Sequence, residues 1–355
     1  FGLPTQATSN GMFPRIEKWL KKLPRDENLT EGERFQIRLV HGKAYLNPVF
    51  ENLAKNIDSD NEEHDGSVIV NEWFSGRKTS SLDDFVVGTV DQFLMASLKQ
   101  KHLALRHLGF SKKVVIIDEV HAYDAYMSQY LQESIRWMAA YNVPVIILSA
   151  TLPADKREEM VRSYISGKGI KWREVKMPIE GLKTDSYPLI TYSDGDEVKQ
   201  VNSFENEDKK TVAIVKEHSE NIYSLIEDLL QGGGIIGVIV NTVKRAQEIA
   251  NKCSELFGED IVGVLHSGFI STERVKKEEK LLEIIGKGGN RPHKKIIVGT
   301  QVIEQSLDID FDVMISDLAP MDLLIQRIGR LHRHNSVEDS VERHKHKNPV
   351  IYVLG

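Results

Sequence analysis

Short, unbroken apolar runs separated by segments of helical period recur along nearly the whole chain. In the first half they are IRLVHG (37–42), FVVGTV (85–90), KVVIID (113–118) and VPVIILSA (143–150). A strand buried on both faces has no polar face to alternate with. Such runs, interleaved with helices, predict a parallel sheet covered on both sides. Helical spacing covers 90–108 and 125–141. After a polar stretch punctuated by Pro and Gly at 178–210, the alternation resumes with TVAIVK (211–216), IIGVIVNT (235–242), IVGVLHSG (261–268), KKIIVGT (294–300) and FDVMISD (311–317). Helices are predicted up to 230, 257 and 285 and through 331. A chain of 355 residues exceeds what one core ordinarily serves. The expectation is an α/β protein with two tandem parallel-sheet domains, 1–180 and 211–355, joined by a linker or surface excursion at 181–210.

Composition narrows the class. Cys253 is the single cysteine, which rules out an internal disulfide and a multi-cysteine zinc site and fits a reducing, cytoplasmic compartment. No apolar run nears the roughly 18 residues of a membrane span, and no signal-peptide pattern opens the chain. The net charge of -6 speaks against a generally basic nucleic-acid coat while leaving room for a local positive channel.

In open parallel sheets, ligands bind beyond the carboxyl ends of the strands. Chemistry is therefore sought at the strand exits. Asp118 and Glu119 leave the run KVVIID, where Asp can hold Mg²⁺ through water and Glu can orient or deprotonate an attacking water. This is the Walker-B arrangement of nucleotide hydrolases; a helix-capping Asp accounts for the same letters. His121 either couples that site to its neighbours or is a hydrogen-bonded His at a helix start. SAT at 149–151 puts Ser149 and Thr151 at the next exit, beside the carboxylates or in a turn where Thr151 bonds its own backbone.

QRIGRLHRH (326–334) spaces Arg327, Arg330 and Arg333 by three on a predicted helix. Arg330 and Arg333 then share a face and reach toward a γ-phosphate, where one arginine contributes about 10³ to 10⁵ in rate; a solvated basic face is the structural alternative. Small polar residues recur at other exits: Thr5, Gln6, Thr8, Ser9 and Asn10 before the predicted helix GMFPRIEKWL, then Thr89, Asp91 and Gln92, then His266 with Ser267, and Thr300 with Gln301. They suit backbone contacts to a nucleic-acid strand, with helix capping as the alternative; at Thr89, Ser267 and Thr300 phosphate contact is put ahead of capping. WFSGRK (73–78) serves either to grip a single strand or to fill a core. His332, His334, His344 and His346 are read as a polar surface loop, with no structural metal assigned.

In this order, DEVH, SAT, VGTQVIEQSLDID (298–310) and QRIGRLHRH resemble motifs II, III, V and VI of superfamily 2 DExH helicases. More narrowly, LPTQATSN (3–10), VVGTVDQ (86–92), DEVHAYD (118–124), SATLP (149–153) and QSLDID (305–310) resemble the helicase portion of the CRISPR-associated helicase-nuclease of type I systems, closest to the type I-E form. The resemblance covers essentially the whole chain. It implies two RecA-like domains with a nucleotide cleft between them, ATP and Mg²⁺ as cofactors, and 3′ to 5′ translocation on single-stranded DNA. It also implies recruitment by a guide-RNA surveillance complex and delivery of the strand to an HD-type nuclease. Residue by residue, it implies Asp118 for Mg²⁺, Glu119 for the lytic water, Ser149 and Thr151 for coupling hydrolysis to DNA movement, and Asp308 near the nucleotide, with Gln326, Arg330 and Arg333 completing the site.

Two departures accompany the resemblance. The phosphate-cradling G-x-x-x-x-G-K-[ST] loop appears nowhere in the sequence, and neither does the HD nuclease. The expectation is a fragment, inactive toward ATP alone and completed by an upstream segment in cis or in trans. A DExH RNA helicase and a non-catalytic scaffold that binds DNA or an effector complex are the alternatives.

Overall fold

The structure, a computed structural model, describes all residues except 24–34, 43, 45–46, 48–49, 51–67, 70–78, 121–124, 179–180, 185, 205–209, 306, 335–342 and 344–345. It divides into two compact units, Phe1–Glu205 and Asn206–Gly355. WFSGRK (73–78), His121 and His344 lie outside the described residues.

The first unit runs β1 (Gly2–Leu3), α1 (Gln6–Leu20), β2 (Phe35–Val40), β3 (Val68–Ile69), β4 (Phe85–Thr89), α2 (Asp91–Leu94), α3 (Leu103–Phe110), β5 (Val115–Ile117), α4 (Ala125–Ala140), β6 (Val145–Ile147) and α5 (Ala154–Gly167). Its strands pair in the order β3-β2-β4-β1-β5-β6, every pairing parallel, as runs without alternation require. Phe13, Ile16 and Leu20 of α1 recur at helical spacing and pack against Leu3, Ile37, Leu39 and Val87. Leu131, Ile135 and Met138 of α4 do the same against Val115 and Ile117. At the end of the strand order, Ile146 of β6 is 45% exposed and Leu148, just after it, 48%.

One local expectation is corrected here. The helix expected across 90–108 is broken: α2 gives way to a 3-10 turn at Met95–Ser97, and α3 starts only after His102, which sits at φ 65. Side chains take the place of helical bonds at the break, Ser97 Oγ donating to the Leu94 carbonyl at 2.7 Å and Gln100 Nε2 to that of Met95 at 2.7 Å. The stretch expected as a linker or surface excursion carries an antiparallel hairpin, β7 (Ile190–Asp194) with β8 (Glu197–Val201), which belongs to the first unit.

The second unit runs β9 (Ala213–Glu217), α6 (Ile222–Leu230), β10 (Gly234–Ile239), α7 (Val243–Phe257), β11 (Val262–Leu265), α8 (Ser271–Ile285), β12 (Lys294–Gly299), α9 (Val302–Gln305), β13 (Val313–Asp317), α10 (Met321–Ile328) and β14 (Val350–Leu354). The parallel order is β11-β12-β10-β13-β14-β9. β10 is buried throughout: Ile236 and Val238 enter one apolar cluster with Ile249 and Cys253 of α7, while Ile235 and Ile239 enter another with Phe311. Fully burying each such side chain contributes roughly 1.5–3 kcal/mol. Gly237 lies under the Phe311 ring, where a Cβ would stand 3.0 Å from its carbons. Burial also pushes the Cys253 thiol up to about 11, which leaves it a packing residue.

Candidate functional site

Because all pairings within each six-stranded sheet are parallel, the carboxyl ends of its strands share one edge. In the first unit, Leu3 pairs with Thr89 while the Asp118 amide donates to the Gly2 carbonyl at 2.9 Å and the Leu148 amide to that of Ile117 at 2.8 Å. The order along this edge is therefore Thr89 on β4, Thr5 beyond β1, Asp118 and Glu119 beyond β5, and Ser149 to Thr151 beyond β6.

Asp118 Oδ1 accepts from the Glu119 amide at 3.0 Å, closing a tight turn at the strand exit. Glu119 sits at φ 57, left-handed backbone that costs a non-glycine residue about 1–3 kcal/mol and collects at working sites. The Thr151 hydroxyl is buried and has no hydrogen-bond partner among the described residues. Two carboxylates at such an exit can hold a hydrated divalent cation and orient a water, and the orphaned hydroxyl beyond the neighbouring strand can answer a ligand. These residues fit a metal-nucleotide site.

The polar run after β1 does not precede its helix, as expected from sequence, but forms the helix's first turns. Thr5 is the N-cap, accepting from the Thr8 amide at 3.1 Å, while the Thr8 hydroxyl accepts from the Thr5 amide at 3.1 Å. That reciprocal box starts α1 at Gln6, five residues early. Gln6 is exposed; Ser9 is fully buried and donates to the Thr5 carbonyl at 2.9 Å. Asn10 faces His41, its Oδ1 2.9 Å from Nε2. Thr89 is buried, only 8% exposed, Asp91 is exposed and opens α2, and the Gln92 carbonyl accepts from Arg106 at 2.7 Å.

In the second unit, Leu265 pairs with Gly299 and the Thr300 amide donates to the Leu265 carbonyl at 3.3 Å, so His266, Ser267, Thr300 and Gln301 come together on adjacent exits. His266 is buried, stacked on Phe269 at 4.2 Å, and burial lowers its pKa. Thr300 is 2% exposed; Ser267 and Gln301 face solvent.

Motif QRIGRLHRH departs from the expected helix. α10 ends at Ile328, capped by Gly329, and Leu331 joins the apolar cluster by bridging to Phe311. Arg330 and Arg333 therefore do not share a helical face. Arg330 Nε donates to the Glu304 carbonyl at 3.1 Å; Arg333 Nε donates to Asp308 Oδ1 at 2.6 Å and its amide to Asp310 Oδ1 at 2.9 Å. Gln326 is half-buried on the same helix as Arg327.

Sequence reasoning passed over Arg327 as one of three basic residues. It is fully buried: Nε donates to Glu304 Oε1 at 2.6 Å, and its terminal nitrogens donate to Ser316 Oγ at 2.7 Å, the Asp317 carbonyl at 2.9 Å and Asn241 Oδ1 at 3.2 Å. The histidine-rich end is likewise corrected. His332, His334 and His346 are buried, with Nε2 of His332 3.0 Å from the Asp312 carbonyl and that of His346 3.1 Å from the Leu229 carbonyl. What pulls this segment inward is a buried set of charges, Asp310 and Asp312 with Arg291 and Arg343.

A family model described as the C-terminal part of CRISPR-associated nuclease/helicase Cas3 matches residues 232–336. Over 357 aligned residues the chain is 60% identical to the CRISPR-associated nuclease/helicase Cas3 of Streptococcus thermophilus, covering 100% of this chain and 38% of that protein. It is 36% identical to the CRISPR-associated endonuclease/helicase Cas3 of Thermus thermophilus, covering 94% and 39% respectively. The crystal structure of T. fusca Cas3-ATP superposes with a TM-score of 0.84 at 32% identity, over 99% of this chain and 40% of that one. S. cerevisiae Dbp5, at 13% identity and a TM-score of 0.51, shares the fold, two RecA-like sheets. The chain spans 38% and 39% of the lengths of the two curated relatives. It thus carries a Cas3-like C-terminal helicase domain, within a stretch similar from end to end to part of the CRISPR-associated Cas3 nuclease/helicases.

Proposed function

We propose that this chain is the motor region of a cytoplasmic type I CRISPR helicase-nuclease, a superfamily 2 DExH enzyme that uses ATP to move 3′ to 5′ along single-stranded DNA. The type I-E form is the closest by motif phrasing. The observation that carries the reading is the turn at the β5 exit, where Asp118 and the left-handed Glu119 stand at the sheet edge, with Ser149 beyond the neighbouring β6 and Thr89 on β4, one strand past β1. Similarity to T. fusca Cas3-ATP supports nucleotide as the ligand. Similarity to a chain of a CRISPR RNA-guided surveillance complex, 29% identical with a TM-score of 0.68, supports such a complex as the loading partner.

On this reading Asp118 holds the hydrated Mg²⁺, and Glu119 orients the attacking water and takes its proton. A bound Mg²⁺ supplies neutralising charge on the phosphate oxygens. Arg330 and Arg333 stabilise charge on the transferred group, and Asp308 and Gln326 contact the nucleotide. Ser149 and Thr151 link hydrolysis to strand movement. Thr5, Gln6, Thr8, Thr89 and Gln92 in one unit, and His266, Ser267, Thr300 and Gln301 in the other, line the path of the DNA backbone, which sequence-independent movement must grip. Ser9, though sealed inside α1, holds the Thr5 carbonyl in place beneath that path. The phosphate-cradling loop and the HD nuclease come from another segment in cis or in trans. β6, with Ile146 and Leu148 exposed, is the sheet edge that a strand leading into such a loop would extend.

The test is single-strand-stimulated ATP hydrolysis by this chain, alone and with a segment that supplies the phosphate loop. Turnover on mixing that disappears with Asp118→Ala, while DNA binding persists, is the expected result. Turnover that survives Asp118→Ala removes Asp118 from the metal site, and silence in every mixture puts a DNA-binding scaffold in place of the motor.

A further inference from the structure

Glu304, 1% exposed, holds two arginines by different atoms. Its carboxylate accepts from Nε of Arg327 at 2.6 Å, and its main-chain carbonyl accepts from Nε of Arg330 at 3.1 Å and from a terminal nitrogen of the same guanidinium. Arg327 directs its other donors to Ser316, Asp317 and Asn241, at the exits of β13 and β10. The short α9 that carries Glu304 is therefore tied to the sheet through one planar fork, and the carbonyl that receives Arg330 moves only if that fork moves. A buried ion pair is a weak source of stability compared with apolar packing, but its rigid donor geometry admits one register. A solvated Lys or Arg on the helix surface imposes no such register.

The geometry points to Glu304 and Arg327 as positioning residues that set where the Arg330 guanidinium lies. The inference rests on the proposed function for what Arg330 does, and on the hydrogen bonds above for where it is held. Arg327 touches no ligand in this account; it acts through Glu304, and Glu304 acts through Arg330.

Two readouts test it. In the ATP-hydrolysing polypeptide, Glu304→Gln lowers kcat about tenfold or more while the KM for ATP changes by less than about threefold, the split expected of a lost transition-state contact. In an Arg330→Ala background the same substitution adds no further loss; a full multiplicative loss there overturns the positioning role. Independently of activity, arginine-selective ¹⁵N labelling of the chain follows the Arg330 Nε–H resonance. It shifts toward the position of a solvated guanidinium in Glu304→Gln and in Arg327→Lys, and stays put in the control Arg274→Lys. A resonance unmoved in folded Glu304→Gln and Arg327→Lys overturns the inference, and failure of both variants to fold does so as well by assigning the pair to folding alone. A displaced resonance in a protein without ATPase activity counts against the proposed function and for the positioning.

Discussion

Asp308 and Arg333 form a direct ion pair, Nε donating to Oδ1 at 2.6 Å, with the two side chains 34% and 41% exposed. Burial opposes charge on Asp308, but the hydrogen bonds from Arg333 and His334 outweigh it and hold its pKa below the ordinary 3.8. Its stabilising share is therefore present above that value and lost as pH falls below it. At this exposure, solvent screening limits the pair to at most about 1 kcal/mol. Asp308→Asn is expected to change denaturant stability at neutral pH by no more than that, while lowering ATP turnover about tenfold or more on the proposed function. Equal loss in both measurements would make the pair a folding element.

Thr300 joins β12 to α9 beside His266 and Ser267. Thr300→Ala is expected to weaken single-strand affinity several-fold, about 1 kcal/mol for one hydrogen bond, with Thr300→Ser restoring it. Fluorescence anisotropy with a labelled oligonucleotide at two salt concentrations reads the companion effect, a log–log salt slope of about −0.7 per phosphate contacted. Affinity indifferent to both the substitution and salt would return Thr300 to a capping role.

Gly237→Ala would place a methyl 3.0 Å from the Phe311 ring carbons. Phe311 is fully buried and cannot swing away, so overpacking is expected to cost about 1–3 kcal/mol by urea denaturation. Adding Phe311→Leu should recover part of it. No loss in the single variant would show that β10 and the 311 loop can separate freely.

His41, next to Asn10, has its pKa lowered by burial from 6.5 to about 4. The unfolded chain binds a proton in this window that the folded one refuses, so the neutral ring's contribution is whole above pH 6.5 and is lost as pH falls toward 4. Thermal unfolding midpoints of the parent and His41→Gln are expected to run parallel above neutrality, with the parent falling more steeply between those limits. Parallel curves throughout would place the His41 ring in water.

Continuous apolar runs admit few other folds, and most strands of both sheets lie on them; β1, β3 and β14 had no such run read for them, and the runs on β6 and β9 keep Ile146 and Ile214 exposed, because those strands end their sheets. Asp118 and Glu119 were found for a related reason: a charge directly after such a run must sit at an edge. Boundaries inside helical pattern were harder. Thr5 and Thr8 cap one another across three residues, so a run that reads as loop became helix. Beyond Gly329 a single apolar residue, Leu331, found a partner in Phe311 and drew the chain off its helical course. Arg327 could not be told from Arg330 and Arg333 by spacing, because what separates them is Glu304, 23 residues away in sequence and in contact only after folding.

The exposed outer side of β6 carries one more consequence. No strand pairs with that side among the described residues, and an edge so left, with Ile146 and Leu148 exposed beside it, recruits any extended peptide that meets it, another copy of itself included. Produced by itself at high concentration, this chain should therefore be limited by precipitation rather than by unfolding, and a charge introduced at Ile146 should raise its solubility without raising its melting temperature.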